Sequence, residues 1–509
     1  MKNGTSRLSA YAAAGLVLAG VFAVSGTAAA QSAANTLRIA NTVAAPNRGE
    51  PTAGLSKQYL ATWELMHEAL TSVGGTGQAE PRVGTSWRNK DPQTWEFKLA
   101  PNLKFHSGEP FNADSVVFMV GYLNSDEGKG TPLYGSLRHV VGATKVDDMT
   151  VEIKTAGPSP ILPSEIAALR FMDPKVWRDL GKQGYGNKPS GLGPWRVTNW
   201  DETKVELTRF DGSLRKAKID NVLMYFMPES PTRVQAFQSN AADIALYMSS
   251  DARGLIEGAG GRLANNPSPS VIVSIFNQSK GGITLDKRVR QALNYAVDKS
   301  YTETLLGGNT IAASQPATRS VNGYQADIKP YAYDPAKAKA LLTEAGFGGG
   351  LKILAEVLNT EADNNNVYQH VVNNLQKVGV DMELRIMTTP DLNARITGGK
   401  VPEGPMMHFN YGSAPSIDMM RPVNTYHSCK FPRGWTCFQE IEPTIEAVNT
   451  EFDPKKRAEG LRKISQYYHE TAPALWLYDA FELDAIAKRV KSYKNENWRL
   501  NWADIELQG

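Results

Sequence analysis

Cysteine is nearly missing from this chain: Cys429 and Cys437 are the only two in 509 residues. A disulfide-stapled small fold and a multi-cysteine metal centre are both excluded at that count. Two cysteines this close, in an exported chain, most simply close one disulfide; His427, two residues before Cys429, opens a zinc reading that lacks a fourth ligand. Surplus charge is missing as well. The 55 basic side chains face 52 acidic ones, a formal net charge of +3, which argues against nucleic acid as a partner. After the first thirty residues no apolar run reaches the roughly 18 residues of a membrane-spanning helix.

Enzyme signatures fail too. His67-Glu68 begins a zinc-protease pattern, yet Thr71 stands where the second histidine belongs, and His469-Glu470 fails in the same way at Pro473. No Gly-x-Ser-x-Gly elbow is present, and the glycine run Gly346 to Gly350 follows a helix and precedes a strand, the reverse of a phosphate-cradling loop. The chain reads as a non-enzyme that needs neither metal nor other cofactor. The seven histidines are scattered.

What the chain does have begins with a leader. Lys2 and Arg7, the apolar run Ala12 to Val24 and Ala28-Ala29-Ala30 read as a secretory signal peptide over residues 1–30, with no nearby cysteine to carry a lipid. Removing Lys2 and Arg7 with it leaves 53 basic against 52 acidic residues, net +1. A chain this long needs two or three lobes.

Hydrophobic periodicity supplies the elements. Thr94 to Leu123 alternates as two short strands, with Trp95, Phe97 and Leu99 in the first and Leu103 and Phe105 in the second, then turns at Ser107 to Pro110 into a helix capped by Asn112. Val222 to Met227, a helix started at Ser230-Pro231, and Ala242 to Tyr247 form a βαβ unit whose strands are expected as parallel neighbours. Leu351 to Leu358, Asn364 to Val378 and Val380 to Met387 repeat the pattern, and Asp453-Pro454 opens a long helix.

Several ordered stretches resemble one family. "TWEFKLAPNLKFHSGEPFNADSV", the "GLGPW" turn at Gly191 to Trp195, "TRVQAFQSNAADIA", "DKRVRQALNYAVD", "YDPAKAKALLTEAGF" and the "DPKKRAEGLRKISQYYHETAPALWLY" close are similar to the family 5 bacterial extracellular solute-binding proteins, receptors of ABC importers. That resemblance implies an α/β fold of the two-lobed periplasmic binding protein type, type II, of the large peptide-binding form with an extra subdomain. Lobe I would comprise residues 31–277 plus 487–509, with the subdomain at about 74–189, and lobe II residues 278–486, hinged near Asn277 and Ala485.

A ligand cleft would lie between the lobes and close on a peptide or peptide-like solute for delivery to permease subunits in the inner membrane. The protein is expected to be periplasmic, monomeric and free of nucleic acid. A non-peptide solute such as an opine, amino-acid conjugate, sugar or metal chelate remains the alternative, and a secreted hydrolase the remoter one. Peptide-binding members carry W-x-A-D-Y-x-D-P in lobe II. The stretch His408 to Asp418 departs from it, leaving Asp418 as the nearby carboxylate for a ligand ammonium. The expected ligand contacts are Tyr247, Asn277, Asn410, Tyr411, Asp418, Trp476 and Tyr478, with core burial as the other reading of Trp476.

Overall fold

A computed structural model describes residues 35–278, 282–358, 362–388, 391, 404–430 and 435–508; the expected signal peptide lies outside the described residues. The chain opens with strand β1 (Thr36–Asn41) and helix α1 (Lys57–Met66). Next come β2 (Gly84–Asp91), β3 (Thr94–Leu99), α2 (Ala113–Asn124), β4 (Val140–Asp147) and β5 (Thr150–Thr155). These four strands make a separate antiparallel sheet in the order β2-β3-β5-β4. Phe97, Val116, Val120, Val151 and Ile153 bury its inner face against α2.

Asn112 does cap α2, its side-chain oxygen accepting the Asp114 N–H at 3.0 Å, with Ser115 completing a capping box. The expected second strand at Leu103–Phe105 does not form. Asn102 adopts φ +61 after Pro101, and only Lys104 makes an isolated bridge, to Pro110, although Leu103 and Phe105 are still buried. The turn removes the length a ladder needs.

A ten-stranded sheet carries the rest. Its first members are β6 (Trp195–Trp200), β7 (Lys204–Arg209), β8 (Asn221–Phe226) and, after α3 (Ser230–Gln238), β9 (Ile244–Met248). Then follow β10 (Arg262–Phe276), α4 (Lys287–Tyr295), β11 (Leu351–Leu358), α5 (Ala362–Gln376) and β12 (Val380–Met387). The chain continues through β13 (Met406–Gly412), α6 (Met420–Tyr426), α7 (Pro454–Thr471) and β14 (Ala474–Ile486). The strand order is β12-β11-β13-β10-β14-β9-β1-β8-β7-β6.

Strands β11 and β12 are direct parallel neighbours. Strands β8 and β9 are not: each pairs in parallel with β1, which lies between them. A right-handed crossover sets the hand of the connection and not how many strands it passes over. The apolar β1, with Leu37, Ile39 and Ala40 fully buried, takes the central place such a strand favours.

The long strands β10 and β14 run through the middle of this sheet. Arg262–Pro267 pair with Phe481–Ile486 on the side of β9, whereas Val271–Ile275 pair with Ala474–Asp479 and with β13. The β10–β14 register shifts between Pro267 and Val271. Pro267 and Pro269 have no N–H to donate, so the ladder is interrupted at this Pro-Ser-Pro step.

Candidate ligand-binding cleft

A recess of about 690 Å³ separates the small sheet from the segments that follow β13. One wall is the turn entering β4, with Arg138 and His139, and the Gly157 to Ile161 run leaving β5, with Glu165 behind it. The other wall is Pro415, Ser416 and the exposed side of α6, where Arg421, Asn424 and Thr425 recur at helical spacing, backed by Asn449 and Arg457. Trp95 stacks on Phe452, with ring centroids 6.3 Å apart at 29°. The Trp95 indole also donates to the Ser159 carbonyl at 2.9 Å.

Each charged group here has a traceable position. Arg457 belongs to the buried stripe Arg457, Leu461, Ile464 and Tyr468 of α7, so its head meets an acid inside the fold. That acid is Asp418: its Oδ2 accepts from Arg457 Nη1 at 2.8 Å and from Asn322 Nδ2 at 2.7 Å, and its Oδ1 accepts from Arg457 Nη2 at 3.1 Å and from the Met420 N–H at 2.9 Å. Arg421 instead points from α6 toward the recess and donates to the Gly412 carbonyl at 2.6 Å. It is solvent-exposed, yet enough protein surrounds it that desolvation pushes its guanidinium below the usual arginine value. Glu165 Oε2 accepts from His139 Nε2 and Ser159 Oγ, both at 2.9 Å. Burial opposes charge on His139, but the bond to Glu165 and its negative field outweigh burial and raise the imidazole above its usual value.

The expected contact residues divide sharply. Asp418 is 1% exposed and filled by Arg457, Asn322 and a backbone N–H, so the carboxylate expected to face a ligand ammonium faces an arginine. Tyr411 is a core residue, its hydroxyl 2.5 Å from His427 Nε2 and its ring stacked on Tyr426. Trp476 and Tyr478 are buried in different cores, on opposite faces of β14. Residues i and i+2 of a regular strand share a face; the register shift that sets Ile272 against Tyr478 and Val273 against Trp476 separates them.

Asn277 is buried beyond the far end of β10, its N–H donating to the Pro405 carbonyl at 2.8 Å and its carbonyl accepting from Thr284 Oγ1 at 2.9 Å. Asn410 is exposed on β13. Tyr247 is half-buried at the end of β9, with φ +57 and Lys57 Nζ 5.1 Å from its ring centroid; Lys57 in turn pairs with Glu482. Cys429 and Cys437 are bonded to each other, and the His427 ring is taken up by Tyr411 and the Thr436 carbonyl.

Arg138, His139, Glu165, Arg421 and Arg457 were not among the expected contacts. Nothing in their spacing links residues 138–165 with 421–457, but a charged residue at a core position of α7 is a legible sign of a buried counter-ion.

The shared strands β10 and β14 join the two halves of the ten-stranded sheet, and a recess with charged and apolar lining lies between the small sheet and the segments after β13. The chain belongs to the bacterial extracellular solute-binding proteins, family 5: the profile described as "Bacterial extracellular solute-binding proteins, family 5 Middle" matches residues 78–430. It is 28% identical over 335 residues to the glutathione-binding protein GsiB of Pectobacterium atrosepticum, a match spanning 64% of each chain. To the dipeptide-binding protein of Escherichia coli strain K12 it is 26% identical over 463 residues, 82% of this chain and 84% of that one. Among solved structures it is similar to the periplasmic binding protein DppA from Helicobacter pylori in complex with the peptide STSA. The TM-score there is 0.76 at 20% identity, over 93% of this chain and 98% of that one. The fold is therefore the two-lobed α/β periplasmic binding fold with a large central sheet.

Proposed function

We propose that this protein is the substrate-binding component of an ABC importer, exported to the periplasm by its leader, and that it captures a peptide or peptide-like solute and delivers it to membrane permease subunits. The single observation that carries this reading is the recess of about 690 Å³ with one wall from the separate four-stranded sheet and the other from α6 and the loop after β13. Its size suits a small solute. Relatives named for binding a dipeptide and glutathione, and a similar fold holding a peptide, support the peptide-like class.

In this reading the lobes are residues 31–277 with 487–509 and residues 278–486, with the subdomain at about 74–189. The flexing point is the ladder break at Pro267–Val271 facing Asp479–Phe481, since an interrupted ladder bends at low cost. Asn277 and Ala485 lie toward opposite ends of this antiparallel strand pair, away from that break. A solute touching both walls stabilises the closed form, and release is a reopening without any chemical step.

Native mass spectrometry of the purified protein, followed by thermal shift with peptides, amino-acid conjugates, opines, sugars and metal chelates, tests the reading. A ligand at about 100 times its Kd adds about 2.7 kcal/mol of stability. Absence of any co-purifying solute together with no rise in Tm across the panel would sink it.

A further inference from the structure

Near its C-terminal end the chain makes a hairpin, Asn495–Glu496 against Arg499–Leu500, whose two-residue loop is Asn497-Trp498. Both loop residues have positive φ, +53 and +66, as the tightest hairpin turn requires. Asparagine suits that backbone; a bulky tryptophan is an outlier there and persists only where its surroundings hold it.

The surroundings hold this turn from several sides. Arg499 Nη1 donates to Glu64 Oε1 at 2.9 Å, which fastens the base of the hairpin to α1. At the tip, Asn497 is buried, and its side-chain amide donates to the Gly74 carbonyl at 3.1 Å and to the Ser320 carbonyl at 3.4 Å. The Trp498 indole donates to Ser268 Oγ at 3.1 Å and to Glu482 Oε1 at 3.2 Å. Ser268 lies within the ladder break, and Glu482 directly follows the Asp479–Phe481 stretch that faces it. The turn that contains Gly74 makes a second junction. A Cβ added at Gly77 would stand 2.8 Å from the Asn322 nitrogen and from the Ile417 carbonyl oxygen, so the approach needs a glycine.

Gly74, Gly77 and Ser268 fall on the lobe I side of the proposed boundaries, and Ser320, Asn322, Ile417 and Glu482 on the lobe II side. Each residue of the tip therefore bonds both sides, next to the point of flexing. Hydrogen bonds that span a hinge favour the arrangement that makes them, with or without a solute.

Resting on the lobe boundaries of the receptor reading above, we infer that Asn497 and Trp498 form a latch. With the glycine turn at 74–77 they hold the lobes together in the solute-free protein, so the binding-competent arrangement is populated before a solute arrives. Apparent affinity rises in proportion to that competent fraction.

The test is small-angle X-ray scattering from the ligand-stripped full chain, unaltered and as the Asn497→Gly/Trp498→Phe double variant. Glycine keeps the backbone of the turn while removing the amide, and phenylalanine keeps a ring while removing the N–H. The unaltered protein is expected to scatter as this structure requires, and the double variant to show a radius of gyration larger by about 1 Å or more. Gly77→Ala, which wedges the second junction, is expected to expand the protein as well. The Tm of the free double variant is expected to stay close to that of the unaltered protein; a lowered Tm with an unchanged radius would make the turn merely structural and overturn the latch. Identical scattering from the unaltered protein and the double variant also overturns it, as does an unaltered free protein already more expanded than this structure. None of these results touches the receptor reading, which stands or falls on solute binding.

Discussion

Arg457 of α7 holds both carboxylate oxygens of Asp418, at 2.8 and 3.1 Å, within the wall of the recess. The pair is almost fully enclosed, and Asn322 and the Met420 N–H complete the bonding of the carboxylate. It ties the loop after β13 to the long helix, and so fixes where Arg421 can point.

Asp418→Asn should therefore act on stability. Removing one member of a buried ion pair leaves the other charge uncompensated, at a cost of about 3–5 kcal/mol. Urea denaturation should show that loss. An Asp418→Asn protein of unchanged stability that has lost solute affinity would return this carboxylate to the ligand.

Phe452→Ala removes the ring on which Trp95 stacks. An aromatic pair contributes about 0.5–1.5 kcal/mol beyond its burial, so solute affinity should fall roughly two- to tenfold if the contact belongs to the closed form. The solute-dependent change in tryptophan emission should shrink in parallel. Calorimetry and fluorescence on the same variant check both, and an unaltered Kd would make the stacking incidental to closure.

His139 supplies a pH dependence. Its folded-state value is raised by Glu165 against the opposing effect of burial, so the charged imidazole is stabilised by folding. That contribution is complete below the ordinary imidazole value of about 6.5 and is lost as pH rises through the raised folded value. Unfolding free energies measured at intervals from pH 5 to about pH 9 should therefore decline more in the unaltered protein than in His139→Gln. Parallel curves would show that the His139–Glu165 bond has no such linkage.

The Cys429–Cys437 bond closes a short loop beside His427, with a sequence separation of 8. By the chain-entropy account a loop of that size stabilises by roughly 2–3 kcal/mol. Reduction, or the Cys429→Ser/Cys437→Ser double variant, should lower the denaturation midpoint accordingly. A midpoint unmoved by reductant would mean that the bond is absent from the protein in solution.

Much of the fold was legible because its signals are local. Asn112 caps a helix through a neighbour two residues on, Asp453-Pro454 starts α7 where expected, and the strand–helix–strand alternation from Leu351 to Met387 produces a parallel pair. Misreadings arose where distant chain intervened. β1 lies between β8 and β9, and the bulge near Tyr478 exchanged the faces of two aromatics that a regular strand would have kept together.

By itself the sequence determined the family, the α/β alternation and the pairing partners available to two cysteines. These depend on neighbours a few residues apart or on ordered motifs. Only the tertiary structure decided what the recess presents. Asp418 and Arg457 are 39 residues apart, and whether that carboxylate meets a solute or a guanidinium depends on how α7 packs against the loop after β13. Burial raises the stakes of that choice, because an enclosed carboxylate left without a charged partner is costly.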